Sequence, residues 1–149
     1  LISEVFFDYA VYGQIWYMGK QNIFFELSLG IVLMLGTDLF QSMVKTQVLL
    51  GFYTVIWWYG GMLTARLFEF DYGMYGILSI GMLYLLRSVR EIQLLGGALS
   101  FCWELPAPLG LILAYFYNGE RGRQKKYFFY LFYPLHLAIF GFVKYFLQA

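Results

Sequence analysis

Apolar residues in this chain fall into runs of helix length with short polar interruptions. Residues 23–40 form the first clear run, which opens after Gln21 and Asn22 and closes at Asp38, with Asn22 as the expected N-cap. Lys45 marks the next turn, and residues 47–63 form a second run. The cluster Trp57-Trp58-Tyr59 near its end reads as an aromatic belt at a membrane interface. Arg66, Glu69 and Asp71 lie in the following loop, and residues 72–86 form a third run that Arg87 and Arg90 terminate. Gly73, Gly76 and Gly81 in that run allow a neighbouring helix to approach closely. A final run, residues 127–147, follows the basic loop at 118–126.

Residues 92–117 fit either one helix or two, because Glu104, Pro106 and Pro108 interrupt them. A single helix of that length would be about 39 Å long against a hydrocarbon core of about 30 Å. The distribution of basic residues favours two passes with a break near residues 104–108. Lys45, Arg87 and Arg90 then share a side with Arg121, Arg123, Lys125 and Lys126, leaving Lys20 and Arg66 opposite. Pro106 or Pro108 would open the second piece, since a proline is tolerated where the N–H has no helical partner.

Composition agrees with a membrane location. Of 149 residues, 61% are hydrophobic, 23% aromatic and 13% charged, more apolar surface than a soluble domain of this size hides. The expected fold is an all-α, multi-pass transmembrane bundle of about six helices or half-helices, forming a single domain over residues 1–149. The chain opens inside an apolar stretch, residues 1–8, which predicts a native start further upstream. A net charge of +1 argues against nucleic-acid binding driven by phosphate neutralisation. Cys102 is the only cysteine, which excludes a disulfide framework and reads as a small buried hydrophobe.

The candidate chemistry begins with His136, the only histidine, near mid-depth of the last apolar run. Pro134 lies two residues before it and releases the carbonyl of Tyr130 from helical bonding, which can open a kink and line a cavity. Phe129, Phe132, Tyr133 and Phe140 share its helical face. His136 therefore reads either as a general base in a partly dry cavity or as a histidine bonded to a neighbouring helix. The turn Asn118-Gly119-Glu120-Arg121-Gly122, with Arg123, Lys125 and Lys126 after it, reads either as a clamp for an anionic ligand or as an ordinary positive-inside loop.

Glu4, Asp8, Glu26 and Glu104 lie in or beside apolar runs, where each is an interfacial carboxylate, a cap, or an acid that orients His136. Asp71 reads first as an N-cap. The chain has no Walker loop, Gly-x-Ser-x-Gly elbow, dinucleotide fingerprint or metal-ligand cluster.

Four stretches in order carry a resemblance to a known family: residues 2–8 (ISEVFFD), 21–25 (QNIFF), 71–78 (DYGMYGIL), and 117–122 (YNGERG) followed by 126–137 (KYFFYLFYPLHL). The chain resembles the TraX family of bacterial integral membrane proteins, whose named member acetylates the N-terminus of conjugative pilin. The resemblance implies an acyltransferase of the bacterial inner membrane. It would move an acetyl group from acetyl-CoA to an amino or hydroxyl group of a protein or glycan acceptor.

Under that resemblance, His136, Glu120 and Asp71 are the candidate catalytic residues, and Asn118, Gly119, Arg121, Gly122 and Lys126 the candidate cofactor-binding ones. No metal is implied. It also implies further upstream segments bearing an Asp-His pair. Two other classes fit the residues alone: a transporter with broken helices around midplane polar groups, and a structural membrane subunit.

Overall fold

The computed structural model describes residues 2–104, 106–120 and 125–148. They form seven helices: α1 (Ile2–Tyr12), α2 (Ile23–Met43), α3 (Gln47–Leu67), α4 (Gly73–Leu85), α5 (Arg90–Ser100), α6 (Ala107–Tyr115) and α7 (Lys126–Gln148). Six correspond to the expected runs. The seventh, α1, is built from the opening apolar stretch. Three helices are long and apolar enough to cross a membrane: α2, α3 and, over Tyr130–Leu147, α7. The chain divides into two compact units, one of residues 1–22 and 120–149, the other of residues 23–119.

In the second unit, α2 and α3 form an antiparallel pair against which α4 packs. Small residues set how close the helices come. A Cβ on Gly61 would fall 2.4 Å from Leu33 Cδ1, and one on Gly81 would fall 2.8 Å from Trp58 Cε3. The core is Leu33, Trp58, Ala65 and Ile77. Indole N–H groups are satisfied inside it: Trp57 Nε1 donates to the Leu33 carbonyl at 2.9 Å, and Trp58 Nε1 donates to Thr37 Oγ1 at 3.1 Å.

Several expectations change here. The Trp57-Trp58 pair is packing material between α2 and α3, not an interfacial belt, because α3 continues to Leu67 and leaves the pair in mid-helix. Asp38 does not close α2, which runs on to Met43. Instead its carboxylate accepts from Tyr84 Oη and pairs with Arg87 at 3.1 Å. Gly73 is the first residue of α4, with φ +57° and open space around it, not a packing site. Cys102 is exposed, with its Sγ 3.4 Å from the Ala98 carbonyl.

The break in residues 92–117 is present. α5 ends at Ser100, Pro106 caps α6 and Pro108 sits in its first turn. At about 16 Å and about 14 Å, neither piece spans a bilayer alone. Arg90, at the start of α5, donates to the carbonyls of Ala114, at 2.6 Å, and Tyr117, beyond the end of α6. The pair is therefore a hairpin that returns to the end where it began, and Asn118 and Gly119 leave the unit at the end carrying Arg87 and Arg90.

In the first unit, α1 packs on α7. The contact is close at Gly141, where a Cβ would lie 3.0 Å from the Tyr9 ring and 3.2 Å from Ala10 Cα. Lys144 Nζ donates to the Val11 carbonyl at 2.9 Å and to that of Ala10 at 3.4 Å. These carbonyls close α1, where no further helical N–H can satisfy them and a cation is favoured.

Candidate functional site

His136 lies within α7, which runs through Pro134 without ending. Its Nδ1 is 2.9 Å from the carbonyl of Phe132, one turn earlier. A carbonyl only accepts, so Nδ1 carries the hydrogen, and the neutral ring then presents Nε2 as the nitrogen able to take a proton. Three of the expected neighbours surround it. Phe132 stacks at 5.2 Å, while Tyr133 and Phe140 meet it edge-on at 5.3 Å and 5.9 Å. The side chain of Phe129, the fourth, lies outside the described residues. Nδ1 is thus bonded within its own helix, not to a neighbouring one, and the imidazole is half-buried in an aromatic collar.

The acids of α1 belong to the same unit. Glu4 and Asp8, one turn apart, are both buried. Each receives a backbone N–H from the segment that doubles back after Gly13: Asn22 donates to Glu4 at 3.3 Å, and Tyr17 donates to Asp8 Oδ2 at 2.8 Å. Asn22 Nδ2 also donates to Ser3 Oγ at 3.2 Å. The acid spacing at residues 4 and 8 therefore folds residues 13–22 against α1. Asp8 Oδ1 has no hydrogen-bond partner among the described residues, and His136 Nδ1 is bonded to Phe132, not to either acid.

Burial pushes the Glu4 carboxyl above its ordinary value, against the Asn22 N–H, which lowers it; the nearby Asp8 charge adds to the rise. Glu4 lies outside the three span-length helices. The folded chain then holds this proton more tightly than the unfolded chain. The stability that this contributes is fully present below the unfolded value and is lost as pH rises through the folded one. Glu4→Gln, neutral at every pH and still an acceptor for Asn22, is expected to raise the melting temperature at neutral pH. The difference from the parent should close in acid. A pH-independent difference would contradict the buried-charge account.

In the second unit, a cavity of about 290 Å³ is lined by Glu26, Tyr72, Gly76, Ile80, Phe101 and Glu104, among others. Glu26 is 1% exposed, and its Oε2 accepts the N–H of Tyr72 at 3.1 Å. Tyr72 is the N-cap position of α4 and makes no side-chain cap bond of its own. A carboxylate from α2 thus caps α4, and Gly76 leaves the room for it: a Cβ there would overlap Oε1. Asp71, one residue before the cap position, is not the cap that the sequence predicted. Glu26→Ala is expected to destabilise the protein by about 1–2 kcal/mol, and Glu26→Gln to recover most of that, as thermal unfolding in detergent would show. Equal losses in both variants would mean that the negative charge matters more than the cap.

The predicted residues divide between the units. His136 and Glu120 belong to the first, and Asp71, Asn118 and Gly119 to the second. Asn118, Gly119 and Glu120 are exposed, and Gly119 has φ +82°, a left-handed turn that suits glycine. Arg121 and Gly122 lie outside the described residues, as does the side chain of Lys126, whose backbone opens α7. No group of three or more potential metal ligands occurs among the described residues.

The sequence match covers the order of these features, from the acids of α1 to the histidine of α7. A family model described as TraX protein matches residues 1–144. The chain belongs to the TraX family. Neither the curated proteins nor the solved structures contain a match. In TraX terms, the ISEVFFD stretch is α1 with its two buried acids, DYGMYGIL is the trans-capped start of α4, and YPLH is the middle of α7.

Sequence reasoning missed three roles: the Arg90 clasp, the Asp38–Tyr84–Arg87 cluster and the trans cap by Glu26. The partners in these pairs are 24 to 49 residues apart, and local spacing carries no signal for them.

Proposed function

We propose that this TraX protein is a multi-pass acyltransferase of the bacterial inner membrane, moving an acetyl group from acetyl-CoA to an amino or hydroxyl acceptor. The observation that carries the reading is the His136–Phe132 bond. It fixes the hydrogen on Nδ1 and leaves Nε2 to accept a proton from an attacking N–H or O–H. The acceptor atom would attack the thioester carbonyl and give its proton to His136. The C–S bond would then break, and the departing thiolate would be protonated to the free CoA thiol.

The surroundings support this chemistry. Phe132, Tyr133 and Phe140 give the imidazole an apolar, aromatic setting on a span-length helix. The end of the second unit that holds Lys45, Arg87 and Arg90 is the one from which Asn118 and Gly119 emerge toward the basic loop, and by the charge rule that end is cytoplasmic. Acetyl-CoA is a cytoplasmic donor. Its phosphates would meet Arg121 and Lys126, with Asn118, Gly119 and Gly122 of the same loop beside them, and Glu120 would serve as the acid of that loop.

The test uses full-length protein in lipid nanodiscs with acetyl-CoA and a panel of peptide amines and glycans. Release of the CoA thiol that depends on both protein and acceptor is the expected result. Absence of thiol release across the panel, together with no measurable acetyl-CoA binding, would overturn the reading. Solute flux into proteoliposomes without acyl-CoA would replace it with a transporter.

A further inference from the structure

A second cavity in the unit of residues 23–119, about 390 Å³, opens where the turns α2–α3 and α4–α5 meet. It is lined by Thr37 and Gln41 of α2, Leu50 and Thr54 of α3, and Leu85, Arg87 and Ser88 at the end of α4. No carboxylate is among its lining residues, although Asp38 lies at its edge through the pair with Arg87. The lining is mixed in chemistry, with an alkyl wall from Leu85 and donor groups from the Arg87 guanidinium, the Ser88 hydroxyl and the Gln41 amide.

Thr37 and Thr54 are occupied as donors, each hydroxyl bonding the carbonyl four residues back at 2.8 Å. Arg87 is only lightly held. Its guanidinium lies 3.8 Å from the Tyr84 ring centroid, Nη1 donates to the Tyr84 carbonyl at 3.0 Å, and Nη2 donates to Asp38. Of its five N–H groups, these bonds use two. The Arg87 and Asp38 side chains are 48% and 53% exposed, and a pair so exposed stabilises little. An anion entering the cavity can therefore recruit the guanidinium without dismantling the core.

We propose that this cavity is a phosphate-binding site, with Arg87 as the charged contact and Ser88 and Gln41 as neutral donors. Depth selects the anion. The cavity lies beside the α2–α3 turn, which joins two span-length helices, and so at the level of lipid headgroups, where phosphates are the abundant anions. A guanidinium flanked by small donors matches phosphate oxygens in two-pronged fashion. The phosphate can come from an anionic lipid headgroup or from a soluble phosphorylated compound such as CoA. The site shares no residue with the 118–126 loop and stands independently of acyl transfer.

Two arms distinguish the sources. In phosphatidylcholine nanodiscs, titration with CoA and with inorganic pyrophosphate reads soluble phosphate. In detergent, native mass spectrometry with phosphatidylglycerol beside phosphatidylcholine reads lipid. Wild type should bind in at least one arm. Arg87→Gln should weaken that binding about tenfold, the loss of one charge-assisted contact. Asp38→Asn, which frees Arg87 from its competitor, should tighten it severalfold, and Ser88→Ala should weaken it severalfold.

Binding of phosphatidylglycerol alone assigns a lipid and leaves the proposal standing even if acetyl transfer fails. Binding of CoA alone assigns a soluble ligand. No phosphate binding in either arm, or affinity unchanged in all three variants, overturns the site. If Arg87→Gln does not fold, weaker binding in Asp38→Asn overturns it, because Arg87 would then act only as a structural partner.

Discussion

Trp58→Ala is expected to cost the unit of residues 23–119 on the order of 3 kcal/mol, the largest stability loss of any single truncation in its buried cluster. Trp58 is 6% exposed, and no other tryptophan or phenylalanine belongs to the buried cluster of this unit. Its indole fills the space left by Gly81, lies 5.9 Å from the Tyr84 ring, and reaches Thr37 through Nε1. Inside a bilayer, lipid tails are as apolar as the core, so the penalty comes from lost dispersion contacts and from the cavity, not from exposure to water.

That origin makes the prediction specific. Trp58→Phe keeps an aromatic ring but loses the hydrogen bond to Thr37 and one ring of the indole, so it should cost about 1–2 kcal/mol. Gly81→Ala places a methyl 2.8 Å from Trp58 Cε3 and should destabilise the wild type by about 1–3 kcal/mol. In the Trp58→Ala background the same methyl enters free space and should be tolerated. Unfolding of the four proteins by denaturant in mixed micelles gives the cycle. Additive losses, or a Trp58→Ala penalty below about 0.5 kcal/mol, would contradict the indole's place at the centre of the packing.

The same residue marks a boundary in what local sequence can reveal. A Trp-Trp-Tyr triplet at the end of an apolar run looks like an interface anchor, because hydropathy alone cannot distinguish lipid from protein as the apolar surroundings. What decides is that α3 continues through Thr64, Ala65 and Arg66 to Leu67, and that Leu33 and Gly61 fit together across the pair. Helix existence was readable, because runs of about 20 apolar residues leave few alternatives in a bilayer. The hairpin of α5 and α6 was half readable. Pro106 and Pro108 announce the break, and the counting of positive charges indicates a return to the starting side, but the Arg90 contact that closes it joins residues far apart in sequence.

The candidate site was legible to a different extent. His136 and its aromatic face follow from helical periodicity, and the structure shows Phe132, Tyr133 and Phe140 around the ring. The acids were harder. Periodicity shows that Glu4 and Asp8 share a face, but not that they are occupied by the backbone of Tyr17 and Asn22. Glu26 looked like one more interfacial carboxylate and is the cap of a helix 46 residues further along the chain. A carboxylate in an apolar run is equally able to finish a helix, orient a base or bind a cation, and only its three-dimensional partner separates these.

His136→Asn is the sharper test of the chemistry, because asparagine can place its Nδ2 where Nδ1 stands and still donate to the Phe132 carbonyl. The helix bond survives, and the nitrogen able to take a proton is lost. If His136 is the base for acyl transfer, acetyl-CoA-dependent thiol release should fall by about 10²–10⁴ in His136→Asn and by a similar factor in His136→Ala. Acetyl-CoA binding should change little, since the ring acts on the acceptor's proton and not on the donor's phosphates. If His136→Asn retains the wild-type rate while His136→Ala does not, the Phe132 bond is what matters and the histidine holds α7 together beside Pro134. The catalytic assignment of His136 would then be wrong, and Asp8, buried on the helix that packs against α7 with Oδ1 unbonded among the described residues, would be the next side chain to replace.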